Sequence, residues 1–344
     1  MIEPSEAPRI RHLFLHRSES DDVYENLARE EFLFDRATPD TLGFLLYIDG
    51  ESVVMGKHQN PWREVDIGTA RALGVAIARR ISGGGTVFHD RGNLNFSFLM
   101  PRRIFDRRAN LEVVVRALGR LGVAAEVSPR YDILAAGRKI SGNAFCFHRE
   151  MALHHGTLLV DARLDRLGPL LEGLQGAANR AAGGHAHIES YAVPSRPAHV
   201  VNLRELQPTV TPEGIGGELL GEVERFYASL AGSPGQGGAE WLSEEAFAVD
   251  RVRELRARNG ERAWLFDSTP RFVVELRMDA ASDRRLLLTV EQGRVTVAES
   301  GLAGLGPDFL IGRRFDAEEL AGAVEQNRAP GSVALAGWLR ALGF

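Results

Sequence analysis

At 344 residues, 44% of them hydrophobic and 25% charged, the chain has the composition of a soluble globular protein with room for one large domain and a smaller one. A formal net charge of -5 argues against a nucleic-acid-binding surface spread over the whole molecule, so any anion must be held locally. The single cysteine, Cys146, excludes an intramolecular disulfide framework and a cysteine-built metal cluster.

The first residues, MIEPSEAPRIRHLFLHR, put acids where a secretory signal needs basic residues, and no apolar run approaches the ~20 residues of a membrane span. A cytoplasmic protein with no membrane and no nucleic-acid partner is expected. Of the 41 lysines and arginines, only Lys57 and Lys139 are lysine. A lysine kept against such a bias suits work that a planar guanidinium cannot do, such as setting a compact charge between two oxygens.

Ile10 to His16 reads as a strand and Asp22 to Phe34 as a helix, with Asp21 or Asp22 near its N-cap and Val23, Leu27 and Phe34 at helical spacing. Leu42 to Tyr47 and Ser52 to Met55 are apolar runs on either side of Asp49-Gly50, a tight-turn pair, and are expected to form an antiparallel hairpin. In KHQNPWREVD, Pro61 opens a short helix, and another runs from Ile67 to Leu73. Val75 to Ile81 is a strand leading into Ser82-Gly83-Gly84-Gly85, with strands at Thr86 to Phe88 and Leu94 to Leu99 leading out. Leu111 to Leu121 is an amphipathic core helix with Asn110 as its N-cap.

Three successive glycines let the backbone approach a ligand with no Cβ in the way and aim N–H groups at its negative oxygens, which is what cradling a phosphate requires. Gly-rich turns also join strands in proteins that bind nothing. No lysine follows as in G-x-x-x-x-G-K-[ST], and Phe88 stands where the last glycine of G-x-G-x-x-G would be, so a nucleotide site here is of another kind.

Tyr131 to Ala135 and Lys139 to Ala144 read as a hairpin turning at Ala136-Gly137, which sets Asp132 and Lys139 on neighbouring strands. Met151 to Val160 is a strand whose adjacent His154 and His155 face opposite sides, which disfavours a shared metal. Asp161 to Leu174 reads as a helix capped by Asp161, Gln175 to Pro197 as a long surface loop, and Thr211 as the cap of a helix to about Leu230. Ala231 to Gly238, AGSPGQGG, is the clearest linker. Glu240 to Asn259 reads as mainly helical, followed by strands at Arg271 to Met278, Arg285 to Glu291 and Arg294 to Ala298. Helices at Ala317 to Val324 and Val333 to Leu342 complete the chain. The expected organisation is a domain over 1–230, a linker over 231–239 and a small α+β module over 240–344.

RRISGGGTVFHDRGN, GRKISGNAF and LHHGTLLVDA, in this order and at these separations, resemble the lipoate protein ligase A family. ENLAREEFLF, VVMGKHQNPWREV and RAWLFDSTPRF extend the likeness over nearly the whole chain. The resemblance implies an α+β fold with a mixed sheet in a catalytic domain of the biotin and lipoate ligase type, plus a small accessory domain. It implies a monomeric, ATP-dependent enzyme in which lipoate and ATP form lipoyl-adenylate. The lipoyl group then passes to a lysine of an apo lipoyl domain, in 2-oxoacid dehydrogenase E2 subunits or the glycine cleavage H protein. A carboxylate approaching the α-phosphate meets like-charge repulsion, so such a site needs fixed positive charge and N–H donors but no protein nucleophile.

By matching position, the resemblance makes Arg80 and the backbone of Gly83, Gly84, Gly85, Thr86, Val87 and Phe88 the ATP and adenylate contacts, with Asn93 and Asp132 as lesser ones. Lys139 becomes the catalytic residue, touching both the α-phosphate and the lipoyl carbonyl, and Arg80, His155 and Gly156 join it along the lipoyl pocket. Asp90 is a candidate ligand for Mg²⁺, which would otherwise be held by phosphates. Asn26 and Glu30 could equally be structural. Arg91 replaces the leucine pictured between the His-Asp and Gly-Asn pairs of the family. Octanoyltransferases and biotin protein ligases share the implied fold, but an octanoyltransferase needs a nucleophilic cysteine, and Cys146 lies between Phe145 and Phe147 as an inert core residue would. Lipoyltransferases that accept preformed lipoyl-adenylate remain open, and a non-catalytic lipoate-binding protein is disfavoured by the retained Lys139 and glycine loop.

Overall fold

The computed structural model describes residues 10–181, 184–196, 198–228, 239–279, 284–302 and 304–344. The fold is α+β, with one six-stranded sheet, one four-stranded sheet and two three-stranded ones. From edge to edge the largest sheet runs through Asn143–His148, Met151–Leu159, Asn93–Pro101, Thr41–Tyr47, His12–Arg17 and Glu240–Trp241. Its central strands are buried along their whole length because helices cover both faces. Leu42, Phe44, Phe96 and Phe98 pack with the helices Arg107–Arg120 and Pro212–Ala228, while Leu45, Leu99 and Leu153 pack with the helix Val23–Arg36.

Asp22 fixes the start of that last helix by accepting from the amides of Tyr24 and Glu25. Asn26, Arg29, Glu30 and Glu31 are all buried on it: Asn26 bonds Asp49, Glu30 bonds Ser97 and His155, Arg29 bonds Glu25 and Glu244, and the helix Asp250–Gly260 packs over Glu31. There Arg258 grips Glu31 through two bonds of 2.7 and 2.6 Å.

The hairpin expected at Asp49-Gly50 does not form. Thr41–Tyr47 lies in the large sheet, whereas Ser52–Met55 joins Ala76–Arg79 and Val87–His89 in a three-stranded sheet. The cause is Asp49, which is fully buried and accepts from Asn26 at 2.8 Å and His89 at 2.8 Å, so the chain crosses between sheets instead of turning at the surface. Asn110 is likewise not a cap. Asp106 caps the helix Arg107–Arg120, and Asn110 is buried against His154 and Tyr227.

The hairpin at Ala136-Gly137 does form, with φ of 49° and 70° at the two turn residues, the left-handed pair of a two-residue hairpin loop. Its second strand ends at Ser141, after which Asn143–His148 crosses to the edge of the large sheet. The expected helix after Asp161 is broken into short turns, and 175–197 is not one loop. Gly173–Arg180 is helical and His185–Ser190 is a strand paired with Phe272–Arg277. That strand escapes pattern reading because Ala186 is its only buried residue and too small to show a period. Glu240 to Asn259 also begins otherwise than expected, with Glu240–Trp241 pairing in parallel with the strand His12–Arg17.

The four-stranded sheet is antiparallel throughout, in the order His185–Ser190, Phe272–Arg277, Arg285–Glu291, Arg294–Ser300. The helices Ala317–Asn327 and Ser332–Leu342 pack on one another, and their core is continuous with Trp62, Val65 and Ile67. Residues 231–238 of the expected linker lie outside the described residues. Among the described residues, no helix is long and apolar enough to cross a membrane.

Candidate active site

The two three-stranded sheets and the large sheet meet around a cavity of about 370 Å³. Its floor is made of buried residues, Leu27, Tyr47, Val54, His89, Asn95 and His155. Lys139, the glycine loop and residues 193–196 form its more open side. Of the site residues expected from sequence, Arg80, Gly84, Gly85, Thr86, Val87, Lys139, His155 and Gly156 line the cavity. Gly83, Phe88, Asp90, Asn93 and Asp132 are not on its wall.

Arg80 organises the glycine loop. Its Nη2 donates to the carbonyls of Gly83 and Gly85, both at 2.7 Å, its Nη1 to Val54 at 2.9 Å and its Nε to Ser82 Oγ at 3.1 Å. Burial lowers its pKa to about 10, still well above neutrality, so the guanidinium is charged. Because Arg80 gathers the loop carbonyls, the amides of Gly83, Gly84 and Gly85 are left without an acceptor among the described residues. Gly84 has φ of +92°, a conformation closed to most side chains, and a Cβ there would sit 2.9 Å from Arg80. The result is a concave row of N–H groups backed by a fixed cation, a nest suited to phosphate oxygens. Arg80 thus acts on the loop that would touch an anion.

Below the loop runs a chain of buried hydrogen bonds. His155 Nδ1 lies 2.9 Å from both oxygens of Glu30, and its Nε2 lies 2.6 Å from Ser82 Oγ. A carboxylate only accepts, so Nδ1 carries the proton and Nε2 takes one from the serine hydroxyl. Ser97 adds a further bond to Glu30. Glu30 therefore anchors the histidine that lines the cavity, which resolves its ambiguity in the sequence. His154 points the other way, against Phe98 and Phe145. Gly156 lines the wall because a Cβ would fall 2.4 Å from Phe96 and 2.5 Å from Asn143 Oδ1.

Lys139 Nζ pairs with Asp132 at 2.7 Å, both side chains being about a third exposed. The pair keeps an ammonium at the cavity edge at little cost, since solvent still reaches it. Lys57, the other lysine, is exposed, and among the described residues its backbone alone is hydrogen-bonded, to Ser82 and Arg79. Asp90 is buried with its two oxygens accepting from the amides of Gly92 and Arg163, at 2.8 and 2.7 Å, and Asn93 is buried with its Nδ2 on Asn95. Both brace the strands beneath the cavity. Among the described residues no group of three or more His, Cys, Asp or Glu is placed to hold a metal ion.

Sequence reading missed three contributors. Ser195 accepts from the Thr86 amide at 2.9 Å and from Gln59 at 3.1 Å, and Gln59 Oε1 accepts from Thr86 Oγ1 at 2.8 Å. Arg79, next to Arg80, is buried and donates to the carbonyls of Lys57, Gln59 and Leu265. Gln59 and Arg79 lie within stretches the sequence singled out, but nothing in the pattern around Ser195 marks it.

The cavity thus brings an ammonium and an amide-rich loop onto one wall, with no thiol among the described residues that line it. Residues 22–223 match the model of the lipoyl protein ligase A/B catalytic domain. A lipoate-protein ligase A of Psychrobacter cryohalolentis is 34% identical over 72% of this chain and 70% of its own. A mitochondrial lipoyl amidotransferase of Mus musculus is 33% identical over 83% and 74%. In three dimensions the fold resembles P. falciparum LipL1 solved with lipoate, at 20% identity and TM-score 0.61 over 95% of this chain and 99% of that one. It also resembles a lipoate-protein ligase A solved with ATP, at 24% identity and TM-score 0.55 over 72% and 94%. The chain belongs to the lipoyl protein ligase A/B catalytic domain family, in agreement with the motifs read from its sequence.

Proposed function

We propose that this protein is an ATP-dependent lipoate-protein ligase that makes lipoyl-adenylate and transfers the lipoyl group to a lysine of an apo lipoyl domain. The observation that carries the reading is the placement of Lys139 on the same cavity as the glycine loop, whose carbonyls Arg80 holds aside. In the first step a lipoate carboxylate oxygen bonds to the α-phosphorus and the bond to pyrophosphate breaks. The ammonium offsets the repulsion between the two anions, and the loop amides receive the phosphate oxygens. In the second step the acceptor amine attacks the carbonyl carbon, AMP leaves with the electrons of the C–O bond, and the amine proton is released. Lys139 stabilises the oxyanion that forms on the carbonyl oxygen.

The acceptors implied are 2-oxoacid dehydrogenase E2 subunits and the glycine cleavage H protein, met by a monomer. Asp90 does not suit a magnesium ligand, because both of its oxygens already accept backbone amides. Mg²⁺ is read as arriving on the nucleotide, with no step assigned to it. The related mouse amidotransferase supports a second reading, transfer from preformed lipoyl-adenylate without its synthesis. Cys146 does not support an octanoyltransferase: it is not on the cavity wall, and burial raises its thiol pKa.

Incubating the purified protein with ATP, Mg²⁺, lipoate and an apo lipoyl domain tests the reading, with the acceptor mass and pyrophosphate followed together. A lipoyl-sized mass gain with pyrophosphate release is expected. A gain only with supplied lipoyl-adenylate selects the second reading, and no gain with either donor refutes both.

A further inference from the structure

The turn over residues 56–59 is the seat of the glycine loop. Lys57 donates its amide to the Ser82 carbonyl at 2.8 Å, and Gln59 Oε1 accepts from Thr86 Oγ1 at 2.8 Å and from the Gly56 amide at 2.9 Å. Between these bonds the two backbones meet directly, since a Cβ at Gly56 would lie 2.2 Å from the Gly84 carbonyl oxygen. Gln59 Nε2 also donates to Ser195 Oγ, which accepts from the Thr86 amide. Both flanks of the glycine loop, and Ser195 beside it, take their positions from this turn.

What holds the turn is Arg79. Its side chain is buried, and its Nη1 donates to the carbonyls of Lys57 and Gln59, both at 2.9 Å. Its Nε donates to the Leu265 carbonyl at 3.1 Å, and its Nη2 to the same carbonyl and, at 3.2 Å, to Thr269 Oγ1. The Arg79 carbonyl in turn accepts from Trp264 Nε1 at 2.8 Å. Every N–H donor of the guanidinium is used, on neutral oxygens alone. Burial lowers its pKa to about 10, so it is charged at neutrality, yet among the described residues no carboxylate pairs with it. A charge buried without a counter-ion is costly, and an apolar side chain of that volume fills the space with less penalty. What a fork of donors does, and an apolar group cannot, is fix the turn and the segment 264–269 at a set distance from each other.

We infer that Arg79 is a positioning residue for phosphate binding: by clamping the 56–59 turn to Leu265 and Thr269, it sets the amides of Gly83, Gly84 and Gly85 for an anion while touching no ligand itself. Arg80 gathers the loop from within, and Arg79 fixes what the loop rests on. The segment 264–269 leads into the strand Phe272–Arg277, so the four-stranded sheet braces the nucleotide side of the cavity through this side chain. The inference rests on the proposed function, which makes the anion a phosphate of ATP. The buried floor depends on other contacts: His155 is held by Glu30 and Ser82, and Val54 by its sheet partners Ala78 and Val87. Lipoate binding is therefore an internal control for damage to the fold.

The test is calorimetric binding of ATP and, separately, of lipoate to the full-length protein, in wild type, Arg79→Met and Thr269→Val. Arg79→Met removes the fork with little change of volume, and it decides the matter if it folds. Thr269→Val removes one distant acceptor while leaving Arg79 in place, and it decides if Arg79→Met does not fold. ATP affinity should fall about tenfold in Arg79→Met, the loss of roughly one well-aligned bond to a charged oxygen, and about threefold in Thr269→Val, with lipoate affinity within about twofold of wild type in both. ATP affinity within about twofold of wild type in the deciding variant overturns the inference and leaves the nucleotide site standing. Equal losses for ATP and lipoate overturn it as well, because they mark general damage in place of a misplaced loop. Wild type that does not bind ATP overturns the nucleotide reading and this inference with it.

Discussion

His154 makes the stability of this protein sensitive to acid in a way that can be worked out from its surroundings. The ring lies against Phe145 and Phe98, with centroids 4.6 and 5.6 Å away, and has no access to water. Its Nε2 is 3.0 Å from Asn143 Oδ1 and its Nδ1 is 3.3 Å from Asn110 Nδ2. An amide nitrogen donates and an amide oxygen accepts, so the neutral ring with its proton on Nε2 satisfies both neighbours, and a second proton on Nδ1 would face a donor. Burial lowers the pKa from 6.5 to about 3. The folded pKa is depressed, so the contribution is fully present above 6.5 and is lost progressively down to about 3, as the unfolded chain takes up a proton that the folded one refuses. At about 1.4 kcal/mol per unit, moving from pH 7.5 to 5.0 costs about 2 kcal/mol through this residue. His154→Gln removes the titration while keeping an amide that can bond Asn143. Urea denaturation of both proteins at the two pH values isolates the effect as the extra loss in wild type. Equal losses in the two proteins would refute the reasoning.

Lys139→Arg should impair both half-reactions nearly as much as Lys139→Ala, because displacing the charge by even ~1 Å can cost on the order of a hundredfold; separate assays of adenylate formation and of transfer check this. Cys146→Ala should retain most activity and show no acyl adduct by mass spectrometry, since this thiol is raised by burial and lies off the cavity wall. Gly156→Ala should lower stability by about 1–3 kcal/mol and weaken lipoate binding, because the new methyl meets Phe96 and Asn143, and denaturation with calorimetry would report both. Arg80→Lys should keep the charge yet lose most adenylate formation, since one ammonium cannot reach Gly83, Gly85, Val54 and Ser82 together.

Most of what was legible in the sequence was local. The helix Val23–Arg36 with its Asp22 cap, the strand Met151–Leu159 with two histidines facing apart and the turn at Ala136-Gly137 all follow from side-chain period and from residues that tolerate one backbone geometry. The glycine loop and Lys139 stood out for the same reason: each is a residue choice that its immediate neighbours do not explain. Order and spacing of the motifs then gave the family.

The tertiary structure alone decided what those residues do for one another. Asp49 read as a turn residue and is a buried acceptor, Asn110 read as a cap and sits in a histidine's hydrogen-bond shell, and His185–Ser190 read as loop and is a strand. Arg80, expected at the ligand, spends its donors on the loop that would hold it. For Asp49, Asn110 and His185–Ser190 the deciding partner lies far along the chain, and a buried polar group is settled by whichever complementary group the packing delivers to it. Local sequence sets which conformations a segment can adopt, but satisfying buried polar atoms is a property of the whole fold, which is why the strands could be read in advance and the network around the cavity could not.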